Sequence, residues 1–187
     1  MHSDKSMQQA LREKEARVES EEVYRGGPFR VRQDTYRMEN GEQKRWDIIV
    51  HPGAVVLVPV TKKGELLLVK QWRRAAQKIL LEFPAGTLEP GEAPDICAQR
   101  ELREETGYRA DKIIPLGGFF SAPGFCTEYL HLFLALDLTE APLKSEDSDE
   151  AIDLVAATYE QVEEMIETHQ IQDAKTIAGF HRYSVYR

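Results

Sequence analysis

Residues 86–108 read GTLEPGEAPDICAQRELREETGY, and the spacing of Gly86, Glu92, Arg100, Glu101, Glu104, Glu105 and Gly107 decides how the rest of the chain is read. Pro94 follows a Gly-Glu turn, where a first helical position tolerates proline because its missing N–H would have no intrahelical partner. Good helix formers follow and Gly107 stops the run, so the spacing predicts one helix over residues 94–106. At about 100° per residue, Glu101, Glu104 and Glu105 fan over roughly a quarter of the circumference, with Ala98 and Leu102 beside them on the packing side. The fan predicts three carboxylates converging on one small volume. Like charges placed this way destabilise a helix unless cations compensate. An all-oxygen cluster without Cys or His favours hard divalent ions, Mg²⁺ or Mn²⁺, over zinc or copper. The bland alternative is an i,i+4 pair of Arg100 with Glu104 on a solvated charged face.

The stretch resembles the Nudix box at every fixed position: Gly, five residues, Glu, seven residues, then Arg-Glu-apolar-any-Glu-Glu-any-Gly-apolar, with Leu102 and Tyr108 in the apolar slots. Each fixed residue type makes up roughly 5–8% of ordinary usage, so a match at one place by chance is on the order of one in a hundred million. That weight favours the metal-site reading over the wet charged face. The resemblance extends over most of residues 23–180 and is similar to the ADP-ribose pyrophosphatases in HPGAVVLVPV at 51–60, LLVKQWR at 67–73, LEFPAG at 81–86 and ETGY at 105–108. Pro123, in FFSAPGF, stands about 15 residues past the box, where those enzymes carry a proline.

The resemblance implies an α/β fold, the Nudix α/β/α sandwich with a mixed sheet, and hydrolysis of a nucleoside diphosphate linked to another moiety. The substrate it implies is ADP-ribose, cleaved to AMP and ribose 5-phosphate; GDP-mannose, another ADP-sugar or a dinucleotide is the alternative. A non-catalytic nucleotide-sugar-binding module is a second alternative, whose mark would be a lost box glutamate. Phosphoryl transfer asks a protein chiefly for charge neutralisation and positioning, which divalent ions supply at both the phosphate oxygens and the attacking water. Glu101 and Glu105 would be the chief metal ligands, with Glu104 assisting and the Ala85 carbonyl completing the site. Arg100 would hold the fan in register, or be a plain surface pair. Gly86 would let the backbone approach a ligand closely. The general base would come from the acidic loop SEDSDEAIDL at 145–154, where Glu150 aligns best and Glu146, Asp147 and Asp149 are solvated neighbours.

For substrate binding, Arg73 in Gln-Trp-Arg matches the family's phosphate-binding arginine. Trp46 and Phe29 lie where related enzymes place aromatics that stack on adenine, often across a homodimer interface, although an aromatic in a strand is as readily packing surface. Asp47 stands where related sequences often carry Glu. Pro123 belongs to the same substrate-binding group. His51 reads as a loop or edge residue and His131 as a core histidine, neither in a metal-ligand spacing. Trp72 is open between core and pocket rim.

The chain has 187 residues, one ordinary domain with an appendage. A net charge of −8 argues against a nucleic-acid or anionic-membrane binder. Cys97 and Cys126 show no framework or CxxC spacing and read as free thiols in a reducing compartment. With no long apolar run, the expectation is a cytoplasmic protein.

Three segments are expected. Residues 1–22 form a polar tail or frayed helix. Residues 23–50 form an N-terminal antiparallel β-hairpin segment, with strand-like runs at 29–38 and 42–50 meeting at Asn40-Gly41. Too small to bury itself, that segment must pack on the main domain or on a partner chain. Residues 51–187 form the main domain, with apolar strands at 55–60, 66–69, 79–83, 113–120, 130–138 and 149–156 and helical patterns at 158–168 and 172–183.

Overall fold

A computed structural model describes residues 5–38, 41–141 and 152–187. They group into two compact units, one comprising the described residues up to His51 together with Ala122–Glu128, the other comprising Pro52–Ser121 and the described residues from Tyr129 on.

The larger unit is built around β4 (Ala54–Pro59), every residue of which is buried. β4 runs parallel to β9 (Tyr129–Glu140) and antiparallel to β7 (Ala85–Thr87), while β8 (Tyr108–Phe120) pairs with the far edge of β9, giving the order β7-β4-β9-β8. A second, antiparallel sheet has the order β10-β5-β6, from β5 (Leu66–Arg73), β6 (Lys78–Glu82) and β10 (Asp153–Ala157). Side chains alternate across a strand, and here both faces of the mixed sheet are covered. Val56 and Val58, with Leu132 and Leu134, join the core formed with Val162 of α3 (Tyr159–Glu167), Phe180 of α4 (Ala174–Tyr186) and Ile171 from the connection between those helices. Val55 and Leu57, with Phe133 and Ala135, join Cys97, Ala98 and Leu102 of α2 (Pro94–Thr106). A strand buried on both faces reads as a continuous apolar run rather than an alternating one, as AVVLVP does. Helices on both faces of a mixed sheet make the expected α/β/α sandwich.

Local signals set the helix ends. Gly107 follows α2 at φ 71°, the left-handed conformation that glycine takes without a Cβ penalty, and its N–H donates to Arg103 O. Thr158 and Gln161 form a reciprocal capping box at α3, and Asp173 accepts from Thr176 N at the start of α4. β8 begins at Tyr108, five residues before the expected 113, because it pairs with β9 along its whole length even where YRAD alternates polar residues. β7 was not expected at all: three residues are too few to show a period, and a proline precedes them.

In the smaller unit, β1 (Arg17–Arg25), β2 (Arg30–Arg37) and β3 (Gln43–Val50) form an antiparallel sheet, preceded by α1 (Lys5–Glu15). Residues 17–22, expected as tail, pair with β2 from Arg17↔Arg37 to Glu22↔Arg32. All nine residues of β1 are exposed, so backbone pairing holds it and no apolar period marks it in the sequence. The β2–β3 turn closes with Met38 N donating to Glu42 O and Gly41 N to Met38 O; Asn40 lies outside the described residues. The Ala122–Glu128 segment is tied to β3 through Ile49 N to Phe125 O at 2.8 Å and Thr127 N to Ile49 O at 2.9 Å. Among the described residues no helix is long and apolar enough to cross a membrane.

Candidate active site

Arg100 lies at the centre of the glutamate-bearing face of α2. Its Nε and Nη2 donate to the two carboxylate oxygens of Glu92, each at 2.9 Å, and its Nη1 donates to Glu101 Oε1 at 2.6 Å and Glu104 Oε2 at 3.0 Å. Nη2 also reaches Thr87 O at 3.1 Å and Cys97 Sγ at 3.3 Å. With its side chain only 25% exposed, the guanidinium is a clasp between α2, β7 and the loop that carries Glu92, which is more than the lone i,i+4 surface pair the sequence left open. The Arg100 hydrogen bonds hold the Glu92 carboxyl down at about 2 despite burial, because charge-assisted bonds favour the ionised form. The same neighbourhood pushes the buried Cys97 thiol up to about 12, through burial and the adjacent Glu92, which favours the protonated thiol.

Glu101 is the buried carboxylate of the face. Burial raises its pKa, and the charges of Glu104 and Glu92 push the same way against the pull of Arg100. Its carboxyl rests on the backbone of Gly86 so closely that a Cβ added there would lie 1.8 Å from Glu101 Cδ. Glycine at this place is a steric requirement of the carboxylate's seat. Glu105 turns to the same strand, its Oε2 accepting from Ala85 N at 3.0 Å. Glu101 and Glu105 therefore meet β7 directly, while Glu92 and Glu104 are tied to it through Arg100, which donates to Thr87 O.

The three glutamates share one helix face as expected, but they do not close into a single cluster. Among the described residues no group of three or more His, Cys, Asp or Glu side chains is arranged to hold a metal ion. Carboxylates take strong donors within reach; Glu101 and Glu104 take Arg100, and Glu105 takes a backbone N–H. The donor chemistry nonetheless fits a hard divalent cation, being all oxygen, with a desolvated carboxylate cradled on glycine and like charges beside it.

The profile of the Nudix domain matches residues 50–180. This chain belongs to the Nudix family. It is 37% identical over 163 residues to an ADP-ribose pyrophosphatase of Bacillus subtilis, covering 87% of this chain and 88% of that one. It is 34% identical over 164 residues to a methanol dehydrogenase activator of Bacillus methanolicus, covering 87% and 89%. A crystal structure of an ADP compounds hydrolase superposes with a TM-score of 0.80 at 23% identity, covering 91% of this chain and 93% of that one, a likeness of fold.

The other Nudix site residues named from the sequence fall in several places. On β5, Arg73 forms a two-pronged pair with Glu82, Nε to Oε1 at 2.9 Å and Nη2 to Oε2 at 2.8 Å. Glu82 is 1% exposed and also pairs with Lys175. In the smaller unit, Trp46 of β3 and Pro123 line one cavity of about 290 Å³, together with Tyr36, Ile48 and Phe125. Phe29 lies in the turn before β2, its ring 6.2 Å from that of Tyr24, and Asp47, one residue on from Trp46 along β3, accepts from Gln33 Nε2 at 2.9 Å. Neither is among the described residues lining that cavity. Glu150 and the acidic stretch 146–150 lie outside the described residues. Trp72 is exposed rather than core. His51 faces Glu128, Nδ1 to Oε1 3.5 Å, and His131 is half-buried against the Tyr129 ring.

In the sequence Glu92 has no role beyond its place in the box, and Glu82 and Lys175 are not candidate site residues. Glu82 did carry a signal, because a carboxylate closing the apolar run ILLEF must be paired if the strand is buried. Burial alone would raise the Glu82 pKa; Arg73 hydrogen bonds and Lys175 outweigh it and hold the carboxyl below its ordinary value of 4.5. A lowered folded-state value stabilises the fold above the unfolded pKa, and that contribution is lost as pH falls through the folded value. Glu82→Gln is therefore expected to lower Tm by about 10 °C at neutral pH. The gap to wild type should close as pH falls below the ordinary carboxylate value, and melting curves from neutral to strongly acidic pH check it; a gap constant with pH would contradict it.

Proposed function

We propose that this protein hydrolyses the diphosphate of a nucleoside diphosphate sugar, with ADP-ribose and water giving AMP and ribose 5-phosphate. The observation that carries the reading is the complete glutamate box, with Glu92 in the loop before α2 and the rest on the helix, clasped by Arg100 and with Glu101 seated on Gly86, in a chain related along nearly its whole length to an ADP-ribose pyrophosphatase. An intact box also separates it from a binding module without turnover. Glu101, Glu104 and Glu105, with the Ala85 carbonyl, would hold the divalent cation, Mg²⁺ first and Mn²⁺ as a substitute. When bound, it neutralises diphosphate charge and lowers the cost of deprotonating water.

The chain's own residues do the rest. Arg100 holds the carboxylates in register, Arg73 offers its guanidinium to the diphosphate, and Trp46 and Pro123 are assigned to the base. Phe29 and Asp47 are assigned secondary contacts in the same N-terminal segment. Glu150 takes the proton from the attacking water. We further read the protein as a cytoplasmic homodimer with exchanged N-terminal hairpins, residues 23–50; the exposed faces of β1 favour a partner.

A hydrolysis panel in heavy-oxygen water tests the reading: ADP-ribose, GDP-mannose, an ADP-sugar and a dinucleotide, each with Mg²⁺. ADP-ribose should be the preferred substrate, with the heavy oxygen located in one product; a strong preference for GDP-mannose, or binding without turnover, would overturn it. Glu150→Gln should lower kcat by about 10²–10³-fold while leaving metal affinity unchanged. Near-normal turnover would remove Glu150 from the base role.

A further inference from the structure

Four charged side chains in the larger unit, Arg73, Glu82, Lys175 and Asp173, form a network of which the proposed reaction uses only Arg73. Glu82, at the end of β6, is buried and shared between Arg73 of β5 and Lys175 of α4. Lys175 Nζ also lies 3.1 Å from Asp173 Oδ2, and both side chains are only 16% exposed. Asp173 is the N-cap of α4 and accepts from Thr176 N at 2.9 Å. Thr176, fully buried, accepts from Phe83 N at 2.8 Å. The first turn of α4 is thereby fastened to the backbone immediately after Glu82, two residues before Ala85 and three before Gly86.

A buried carboxylate held by two cations on different elements has little freedom to rotate. Breaking one partner of such a group is costly, because the remaining charge stays desolvated. The Arg73 side chain is 37% exposed against 1% for Glu82, so Nε and Nη2 are held by a buried carboxylate while part of the side chain stays open to solvent. Losing Lys175 would leave Glu82 with one cation and let the Arg73–Glu82 pair reorient.

We propose that Lys175 is a positioning residue for catalysis: with Asp173 and Thr176 it locks Glu82, and through Glu82 it aims the Arg73 guanidinium at the substrate diphosphate. Lys175 itself touches no substrate. The proposal rests on the reading of Arg73 given above.

The test is a double-mutant cycle with ADP-ribose and Mg²⁺, using Lys175→Met and Arg73→Ala singly and together, with Lys175→Arg as the conservative variant. Lys175→Met should raise KM roughly tenfold with kcat nearly unchanged, have no further effect in the Arg73→Ala background, and be largely rescued by arginine. Should Lys175→Met fail to fold, Lys175→Gln serves in the same cycle, with circular dichroism confirming the native fold of each variant. If Arg73→Ala leaves KM unchanged, the reading of Arg73 fails and the proposal with it. If Arg73→Ala raises KM but the Lys175 variant is silent or fully additive, the role of Lys175 alone is overturned.

Discussion

Glu101→Gln is expected to reduce turnover of ADP-ribose about 10³-fold, the equivalent of several kcal/mol of lost charge stabilisation. Glu101 is the desolvated carboxylate of the α2 face, seated on Gly86 and raised in pKa by burial. Glutamine preserves its shape and removes the charge that a divalent cation requires. The fold should tolerate the change, because Arg100 keeps its two-pronged bond to Glu92 and its contact with Glu104. Steady-state kinetics beside thermal melting separates the two effects. Activity within tenfold of wild type at saturating Mg²⁺ would remove Glu101 from the metal site.

Gly86→Ala should cost about 10²-fold in kcat, the scale associated with displacing a catalytic group by roughly an ångström. The added Cβ would sit 1.8 Å from Glu101 Cδ and about as close to both its oxygens, at 2.0 and 2.1 Å, so the carboxylate must leave its seat. The backbone of Gly86 does not itself require glycine, since it lies in β7 and is not among the positive-φ positions. The loss should therefore appear in turnover far more than in melting temperature. A Gly86→Ala enzyme within threefold of wild type would show that Glu101 does not act from this seat.

How much of this was legible in the chain varies with the range of the interaction. Helix α2, its Pro94 start and its Gly107 stop are local, and period and punctuation give them away. β4 is legible as a run of apolar residues, since both its faces are buried. β7 was not legible, although it holds both Gly86 and the backbone N–H that Glu105 takes. The glutamate fan was readable as an angle on a helix. The grip of Arg100 on Glu92, however, depends on how the loop before α2 folds back, which no helical period reports. Lys175 and Glu82 are 93 residues apart, and only the packing of α4 on the sheets brings them together. β1 left no hydrophobic signature because both its faces are exposed.

The most direct test of the central claim is the initial rate of AMP formation from ADP-ribose as the divalent ion is titrated into metal-stripped wild type and Glu101→Gln. Wild type should be inactive without the ion and saturate with Mg²⁺, while the variant stays about 10³-fold lower throughout. AMP formation that persists after chelation, or that is equal in the two proteins, would contradict the assignment of metal-dependent diphosphate hydrolysis to the α2 face.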